Sequence, residues 1–326
     1  MRGKTDLYDL IHSLSKTEKR YFTLDAQKSG KRTSRYLELF KVINQQEAYD
    51  EDSLKKKFGS RLADDKTRLY EAILRSMRDY RSAKSYAARI KEMLLDAKFL
   101  YERGLYEQCE DRLRLAKELA YELGDNLAVL EVNKEQRRWW KGTRRRGYDG
   151  EVRRLMAEKD TYQQYLLEEL HYLDLHDRLL MEVIKNPQRL ADERREALRA
   201  EYEAFLQETA PTSIQGRLRF HQGRAFLYQL LGDHDKVYHH FQAVVDTWNQ
   251  NPRYKSEEFY LYIFDAANLI HAAFSNLSEY QEVIPDLLNN LASEEPHNFH
   301  DKKMLFQQVA IYRLLYHINT GDFNAI

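Results

Sequence analysis

The sequence groups histidines and carboxylates, the residue types that bind transition metals, at two places in its central part. In the segment His171-x-x-Asp174-x-His176, the two histidines are five residues apart. On a helix this spacing turns them about 140° from each other, so they do not share a face. The second group surrounds Gly232, where no third ligand falls at a productive spacing, and comprises Asp233, His234, Asp235, His239 and His240. Ordinary helix and turn surface explains both groups better than a metal site does.

A third group near the C-terminus has the spacing that brings two imidazoles together on a helix. His297 and His300 are three residues apart, and Asp301 follows them directly. Pro296 indicates that a helix begins here, and Asp301 then complements the helix dipole. We therefore predict no metal site in the chain.

Motifs for nucleotide binding and for nucleophilic catalysis are absent from the sequence. It has no glycine-rich phosphate loop, no serine elbow, no HExxH motif and no zinc-type cysteine pair. The segment from Gly142 to Gly150, GTRRRGYDG, lacks both the spacing and the preceding strand of a phosphate loop. Cys109 is best explained as a small packing residue. The sequence thus favours a protein that is not an enzyme and has no cofactor.

Positive charge is concentrated at one point of a chain whose formal net charge is zero. Residues 1–146 carry a net charge of +10 and residues 147–326 a net charge of −10. The densest stretch is KEQRRWWKGTRRR, residues 134–146, whose basic patch is Arg137, Arg138, Lys141, Arg144, Arg145 and Arg146. These residues, with Trp139 and Trp140, could bind nucleic acid or an acidic peptide. Alternatively, one tryptophan faces the core and the basic residues stay solvated at a helix C-terminus.

Length and composition indicate a packed chain without membrane spans. The 326 residues are 43% apolar and 32% charged, which is too hydrophobic for disorder. No apolar run approaches the 18 or so residues of a membrane helix. The single cysteine excludes an internal disulfide, and Asp6 and Asp9 interrupt the stretch where a signal peptide would be apolar. We expect a cytoplasmic protein.

Scarcity of helix-breaking residues predicts an all-α fold. Only 12 glycines and 5 prolines occur in the chain, well below average usage. Apolar residues recur at steps of three and four, as in Leu227, Leu230 and Leu231 and again in Ile311, Leu314, Leu315 and Ile318. The β-like run FYLYIF, residues 259–264, follows Ser256, a good helix start, so helix is favoured there too.

Turn-forming residues recur at nearly constant intervals. One series lies 40 to 45 residues apart, at positions 59, 104, 147, 187, 232, 277 and 321. A second series falls midway, at positions 82, 124, 211, 252 and 296, and predicts a further turn near residue 167. Two interleaved series predict helical hairpins with helices of about 18 to 20 residues. Such hairpins must stack on their neighbours to cover their apolar faces.

Capping motifs support several of these helix starts. Ser15-Lys16-Thr17-Glu18, Thr212-Ser213-Ile214-Gln215 and Ser278-Glu279-Tyr280-Gln281 all have the Ser/Thr-x-x-Glu/Gln form of a capping box. Each motif therefore predicts a helix whose N-cap is the first residue of the motif.

The hairpin segments resemble tetratricopeptide repeats. Leu94–Leu123 has small Ala97, a turn at Gly104 with Tyr106, and then Cys109, Leu113 and Ala116. Residues 225–248 repeat this pattern around Gly232-Asp233, and residues 314–326 show the turn again as Gly321-Asp322-Phe323. The chain departs from the family in its longer period, since that repeat has 34 residues, and in Val237, where a small residue is usual. The resemblance implies a divergent relative of this repeat family, whose structure is also similar to HEAT-like helical repeats. The implied fold is a right-handed superhelix of antiparallel helical hairpins.

The same resemblance implies a function and a binding surface. In this family the first helix of each hairpin lines a concave groove, which here would contain Lys91, Lys98, Tyr101, Arg219, Gln222, Phe226 and Gln229. The expected function is that of a non-enzymatic scaffold that binds a protein or peptide partner there. Because Ile311 and Leu315 would lack a cover, we expect the array to continue beyond residue 326.

Residues 1–82 are expected to form a separate helical region before the array of residues 83–326. They carry a net charge of +6 and predict shorter helices at 5–13, 16–29, 33–46, 50–58 and 64–82. Bacterial peptide-sensing regulators join a helix-turn-helix head to such repeats, which makes a nucleic-acid-binding transcriptional regulator the alternative function.

Overall fold

The computed structural model describes residues 3, 5–28, 35–82, 85–296 and 298–321, and within this part of the chain every regular element is a helix. The chain divides into two compact units, residues 1–89 and 90–326, here called the N-terminal and C-terminal units. Asp322 and Phe323 of the predicted last turn, and His297, lie outside the described residues.

In the described part of the N-terminal unit, α-helices form a bundle, with a 3₁₀ turn at Gly59–Arg61: α1 (Asp6–Ser13), α2 (Lys16–Gln27), α3 (Arg35–Gln45), α4 (Glu51–Phe58) and α5 (Leu62–Ser82). The capping box at Ser15 is confirmed, since Ser15 Oγ accepts from the Glu18 amide and the Glu18 carboxylate accepts from the Ser15 amide. The core of the bundle is aliphatic and aromatic, with Ile11, Phe22, Leu39, Leu54 and Ile73 almost fully buried. Predicted and observed helices agree to within two residues wherever both ends are described.

The C-terminal unit begins within α6 (Tyr86–Glu102) and continues through α7 (Tyr106–Leu123), α8 (Asn126–Thr143) and the long α9 (Tyr148–Lys185). Two short helices follow, α10 (Asp192–Glu201) and α11 (Glu203–Gln207). The second part contains α12 (Ile214–Leu231), α13 (His234–Gln250), α14 (Pro252–Glu257), α15 (Phe259–Ser275), α16 (Leu277–Tyr280), α17 (Ile284–Ala292) and α18 (Phe299–Thr320). Successive long helices pack against each other: α7 on α8, α8 on α9, α9 on α12, α12 on α13, and α13 on α15. The β-like run at 259–264 is therefore helical, as the sequence predicts.

Two of the tight turns between these helices have the same chemistry. Gly124 and Gly232 both end a helix in the left-handed conformation, at φ 68° and 78°, which glycine adopts without a steric penalty. The following residue, Asp125 or Asp233, caps the next helix by accepting from the amide three residues on. The Gly-Asp pair thus closes one helix and opens the next.

Three local predictions fail in the C-terminal unit. The turn expected near residue 167 does not exist, because α9 runs unbroken for 38 residues and residues 151–185 contain neither glycine nor proline. The cap of α12 is Ser213 rather than Thr212, and Ser213 Oγ accepts from the Gly216 amide. No capping box forms at Ser278, which lies inside the single turn of α16. At Thr212 and Ser278 the polar residues are present, but the helices start at other positions. Near residue 167 the helix is not interrupted at all.

Candidate partner-binding groove

The C-terminal unit contains an open groove with α15 as its floor. Its two walls are α13 and α17, both of which pack on α15. The floor is apolar, with Ala266, Leu269 and Ile270 at most 6% exposed. The cavity measures about 280 Å³, and the eight-residue wall segment 242–249 makes it roughly 10 Å long. It can therefore hold about three residues of extended chain.

Side-chain amides stand on both walls of this groove. Gln242 and Asn249 line the α13 wall, and Asn290 lines the α17 wall. Gln242 donates to Asp246 at 2.9 Å and leaves its carbonyl oxygen free, while the Asn290 amide has no hydrogen-bond partner among the described residues. An amide both donates and accepts, so it can pair with the N–H and C=O groups of a peptide backbone.

A polar cluster and an aromatic pair mark the two ends of the groove. At one end Lys255 is paired with Glu294, and the Tyr262 hydroxyl donates to the same carboxylate at 3.0 Å. The Lys255 ammonium lies 3.8 Å from the centre of the Tyr262 ring. Towards the other end, Tyr238 of α13 stacks on Tyr280 of α16 with the ring centres 3.8 Å apart. The carboxylate in the groove is therefore already neutralised, and the open part between the ends is apolar and amide-lined.

Beneath this groove lies a buried polar network that fixes the packing of α12, α13 and α15. Asp265 is 4% exposed and accepts two bonds from Gln222 Nε2, at 2.7 and 2.8 Å, and one from Trp248 Nε1 at 2.7 Å. Burial raises the pKa of Asp265 to about 6, although these hydrogen bonds favour its charged form. Because each partner comes from a different helix, the network sets the register of the groove floor relative to its α13 wall.

The predicted groove residues on α12 occupy contrasting environments. Gln222 and Phe226 are buried, Gln222 in the network with Asp265 and Phe226 against Phe241 and His176, so neither faces an open groove. Arg219 is half-buried and donates to Gln222 at 2.9 Å, and Gln229 is exposed. Helix α12 is covered on most sides by α9, α10 and α13, which explains the burial.

Two of the three predicted groove residues on α6, Lys98 and Tyr101, line a small crevice. Lys98, Tyr101 and Arg138 surround a space of about 10 Å³, which is room for about one water molecule. The Arg138 guanidinium lies 5.7 Å from the centre of the Tyr101 ring, and Lys91 is paired with Glu131 of α8. The structure therefore joins these residues to α8 but provides no wide groove between them.

The basic patch at the end of α8 is partly structural. Trp139 is 2% exposed and donates to the Tyr106 carbonyl at 2.9 Å, and Arg145 lies over its ring and reaches Glu107 and Glu110. Arg138 pairs with Glu135. Among the described residues, no carboxylate forms an ion pair with the remaining cations of the patch, which are Arg137, Lys141, Arg144 and Arg146. One tryptophan thus faces the core, as the second interpretation of this segment expects, while Lys141, Arg144 and Arg146 are exposed and Arg137 is half-buried.

Neither the histidine groups nor the cysteine forms a reactive site in the described part of the chain. No cluster of three or more potential metal ligands exists there. His221 and His240 face each other with their Nδ1 atoms 3.0 Å apart, and burial lowers the pKa of both, to about 4 and about 3. Burial also raises the pKa of Cys109 to about 11, so its thiol stays protonated at neutral pH.

Sequence reasoning did not find the groove, although one signal for it exists. Within the strongly apolar α15, small Ala266 faces the space between two amide-bearing helices. A small residue at the centre of such a helix leaves room where a larger one would fill the core. The pattern becomes informative only when the two neighbouring helices are known.

No family model matches this chain, and no curated protein or solved structure is significantly similar to it. Among the described residues, no helix is long and apolar enough to cross a membrane. The geometry of the groove is consequently the main guide to function.

Proposed function

We propose that the C-terminal unit is a non-enzymatic protein-binding module, built as a right-handed, tetratricopeptide-like array of helical hairpins. It binds a short extended segment of a partner protein in the groove between α13 and α17. The single cysteine and the thiol chemistry described above suit a reducing compartment such as the cytoplasm.

The observation that carries this proposal is the pairing of an apolar floor with amides on both walls. An apolar side chain of the partner would pack on Ala266 and Leu269, and its neighbouring backbone groups would pair with Gln242, Asn249 and Asn290. Glu294, the carboxylate of the groove, is engaged by Lys255 and Tyr262. The groove therefore offers binding groups rather than a pair of groups poised for proton transfer.

Selection from a library of random 12-residue linear peptides, displayed on phage, tests the proposal. We expect enriched peptides to share one apolar residue at a fixed position. Affinities of the enriched peptides, labelled with fluorescein, are then measured by anisotropy against the full chain and two variants. Asn290→Trp places an indole over the groove and should weaken binding at least tenfold.

Asn289→Trp is the matched control, because Asn289 is also exposed on α17 but does not line the groove. It should leave peptide affinity unchanged. A second pair on the other wall, Asn249→Trp against Gln250→Trp, repeats the comparison. Failure to enrich any peptide, or equal affinities for Asn290→Trp and Asn289→Trp, would reject the groove as the binding site.

A further inference from the structure

Four cations form a ridge along one face of α8. Lys134, Arg137 and Lys141 are separated by steps of three and four residues, which places them in one line on the surface of α8, and Arg144 is the C-cap residue directly after the helix. Arg137 is half-buried and the other three are exposed. The line spans roughly 15 Å. We call these four residues the cation ridge.

Carboxylates near the ridge are engaged by other cations. On α8 itself, Glu131 pairs with Lys91, and Glu135 pairs with Arg138. On the neighbouring helices the acidic side chains are also paired: Glu107 and Glu110 with Arg145, Asp149 with Arg153, and Glu151 with Arg154. The ridge, together with Arg146, is thus the part of this surface whose positive charge the described residues leave uncompensated.

The ridge is unfavourable for the isolated protein in two ways. Like charges three or four residues apart on a helix repel each other. Arg144 also has φ 45°, the single non-glycine residue with positive φ in the described part of the chain, at a C-cap position where glycine would be unstrained. A bound anion would relieve the repulsion between the cations, so the ridge is better suited to a complex with an anion than to the isolated protein.

A flat aromatic surface accompanies the ridge. Trp140 is half-buried, and it follows Arg137 by three residues on α8, so the two side chains are neighbours on the helix surface. Its ring packs edge to face against that of buried Trp139, with the centres 5.1 Å apart. Nucleobases stack on indole and guanidinium planes, whereas the carboxylates of an acidic peptide pair with the guanidinium groups but do not stack on the indole.

We propose that the cation ridge and Trp140 form a binding site for single-stranded nucleic acid, with little base preference. The cations contact successive phosphates, and a base stacks on the Trp140 ring. This site is independent of the groove between α13 and α17, and either can exist without the other.

Fluorescence anisotropy with fluorescein-labelled oligo-dT and oligo-U of 12 nucleotides tests the site on the full chain. With about four phosphate contacts, raising the salt from 50 to 200 mM should weaken binding roughly 50-fold. The triple variant Arg137→Ala/Lys141→Ala/Arg144→Ala should lose at least tenfold in affinity at 50 mM salt, with a smaller salt dependence.

The matched control is Arg112→Ala/Arg114→Ala/Arg153→Ala, which removes the same charge from cations that are paired with carboxylates. It should bind like the wild type. Arg144→Gly is a second, fold-safe variant: it relieves the positive φ, so it should raise the melting temperature while it weakens binding.

Trp140→Leu distinguishes nucleic acid from other polyanions. It should weaken binding of the oligonucleotides about tenfold and leave a labelled 12-residue poly-glutamate peptide unaffected. The proposal is overturned if the wild type shows no salt-sensitive binding of either oligonucleotide at 50 mM salt. It is also overturned if the control triple variant loses as much affinity as the ridge variant, or if poly-glutamate binds more tightly than the oligonucleotides.

Discussion

The long helix α9 packs on its two main neighbours by opposite means. From its start to Glu169 it meets α8 through buried polar groups, which we call the polar joint. Lys117 of α7 donates to Glu158 at 2.6 Å, Asn133 donates to Glu158 at 2.6 Å, and further along Asn126 donates to Glu169 at 2.7 Å. The long helix therefore begins in a contact that depends on charge.

Its C-terminal half meets α12 through aliphatic and aromatic side chains, which we call the apolar joint. Leu179 is completely buried there, and Tyr172 packs edge-on against Phe220 with the ring centres 5.3 Å apart. Gly223 allows the close approach of Phe205 and Leu179. This contact depends on volume and shape, which pH does not change.

The two joints should differ in their sensitivity to mutation and to pH. A buried ion pair contributes little net stability, but breaking it by removing one partner is expensive. An apolar contact loses stability in proportion to the volume removed. We therefore expect the largest single-residue effects, and the pH dependence, at the polar joint.

Removal of the Glu158 carboxylate should have the largest effect. Burial lowers the pKa of Lys117, while the hydrogen bonds of Glu158 lower its pKa although burial alone would raise it. Lys117 is 7% exposed, and Glu158→Ala leaves this ammonium buried without its partner. We expect a loss of about 3–5 kcal/mol in the free energy of unfolding. Urea titration followed by tryptophan fluorescence measures it, since all three tryptophans lie in residues 90–326.

A double variant provides the control for this experiment. Lys117→Met with Glu158→Leu replaces both charges by apolar groups of similar volume. It should be within about 1–2 kcal/mol of the wild type. If Glu158→Ala alone costs less than about 1 kcal/mol, the polar joint is solvated in solution and the contrast with the apolar joint is lost.

The pH dependence of stability should centre on Glu169. Burial raises its pKa to about 7 from an ordinary value of 4.5, so the folded state holds the proton more tightly than the unfolded chain. Its contribution to stability is complete below pH 4.5 and is lost as pH rises through 7. Glu169→Gln stays neutral at every pH. Its stability advantage over the wild type should be about 2 kcal/mol larger at pH 8 than at pH 5.

Urea unfolding of both proteins at pH 5 and pH 8 gives this difference. Buried Asp265, whose pKa is raised to about 6, adds a slope of the same sign, but it is common to both proteins and cancels. Glu203→Gln, at an exposed carboxyl of α11, controls for the change in net charge. Parallel pH profiles for Glu169→Gln and the wild type would show that Glu169 is ionised in the folded state throughout.

Much of the helix layout could be predicted from the sequence, because it is set locally. The Gly-Asp turns at 124–125 and 232–233, and the capping box at Ser15, determine helix ends within a few residues. The all-α class could be predicted from the scarcity of glycine and proline, the residues that break helices. The missing turn near residue 167 shows the limit, since a regular interval does not interrupt a helix that contains no breaking residue.

The sites depend on contacts between residues far apart in the chain. Gln222 and Asp265 are 43 residues apart, and so are Asn126 and Glu169. On α12 the resemblance to tetratricopeptide repeats implied a groove-lining face, but Gln222 and Phe226 are buried in a helix that α9 and α13 cover. The basic patch was recognisable from the sequence, but which of its cations are paired depends on acids from α7 and on the geometry of α8. Local patterns cannot supply these partners.

The smallest predicted effect tests how tightly the apolar joint is packed. A Cβ added to Gly223 would lie 3.4 and 3.6 Å from Phe205 and 3.7 Å from Leu179, which is ordinary van der Waals contact. Gly223→Ala should therefore raise the free energy of unfolding by about 0.5–1 kcal/mol, because alanine favours the helix and restricts the unfolded chain. Gly142→Ala is the contrasting variant, since its Cβ would overlap the Tyr101 hydroxyl and should destabilise the protein. If Gly223→Ala also destabilises the protein, the apolar joint has no room for an added methyl group. Close backbone approach is then as strict a requirement there as charge pairing is at the polar joint.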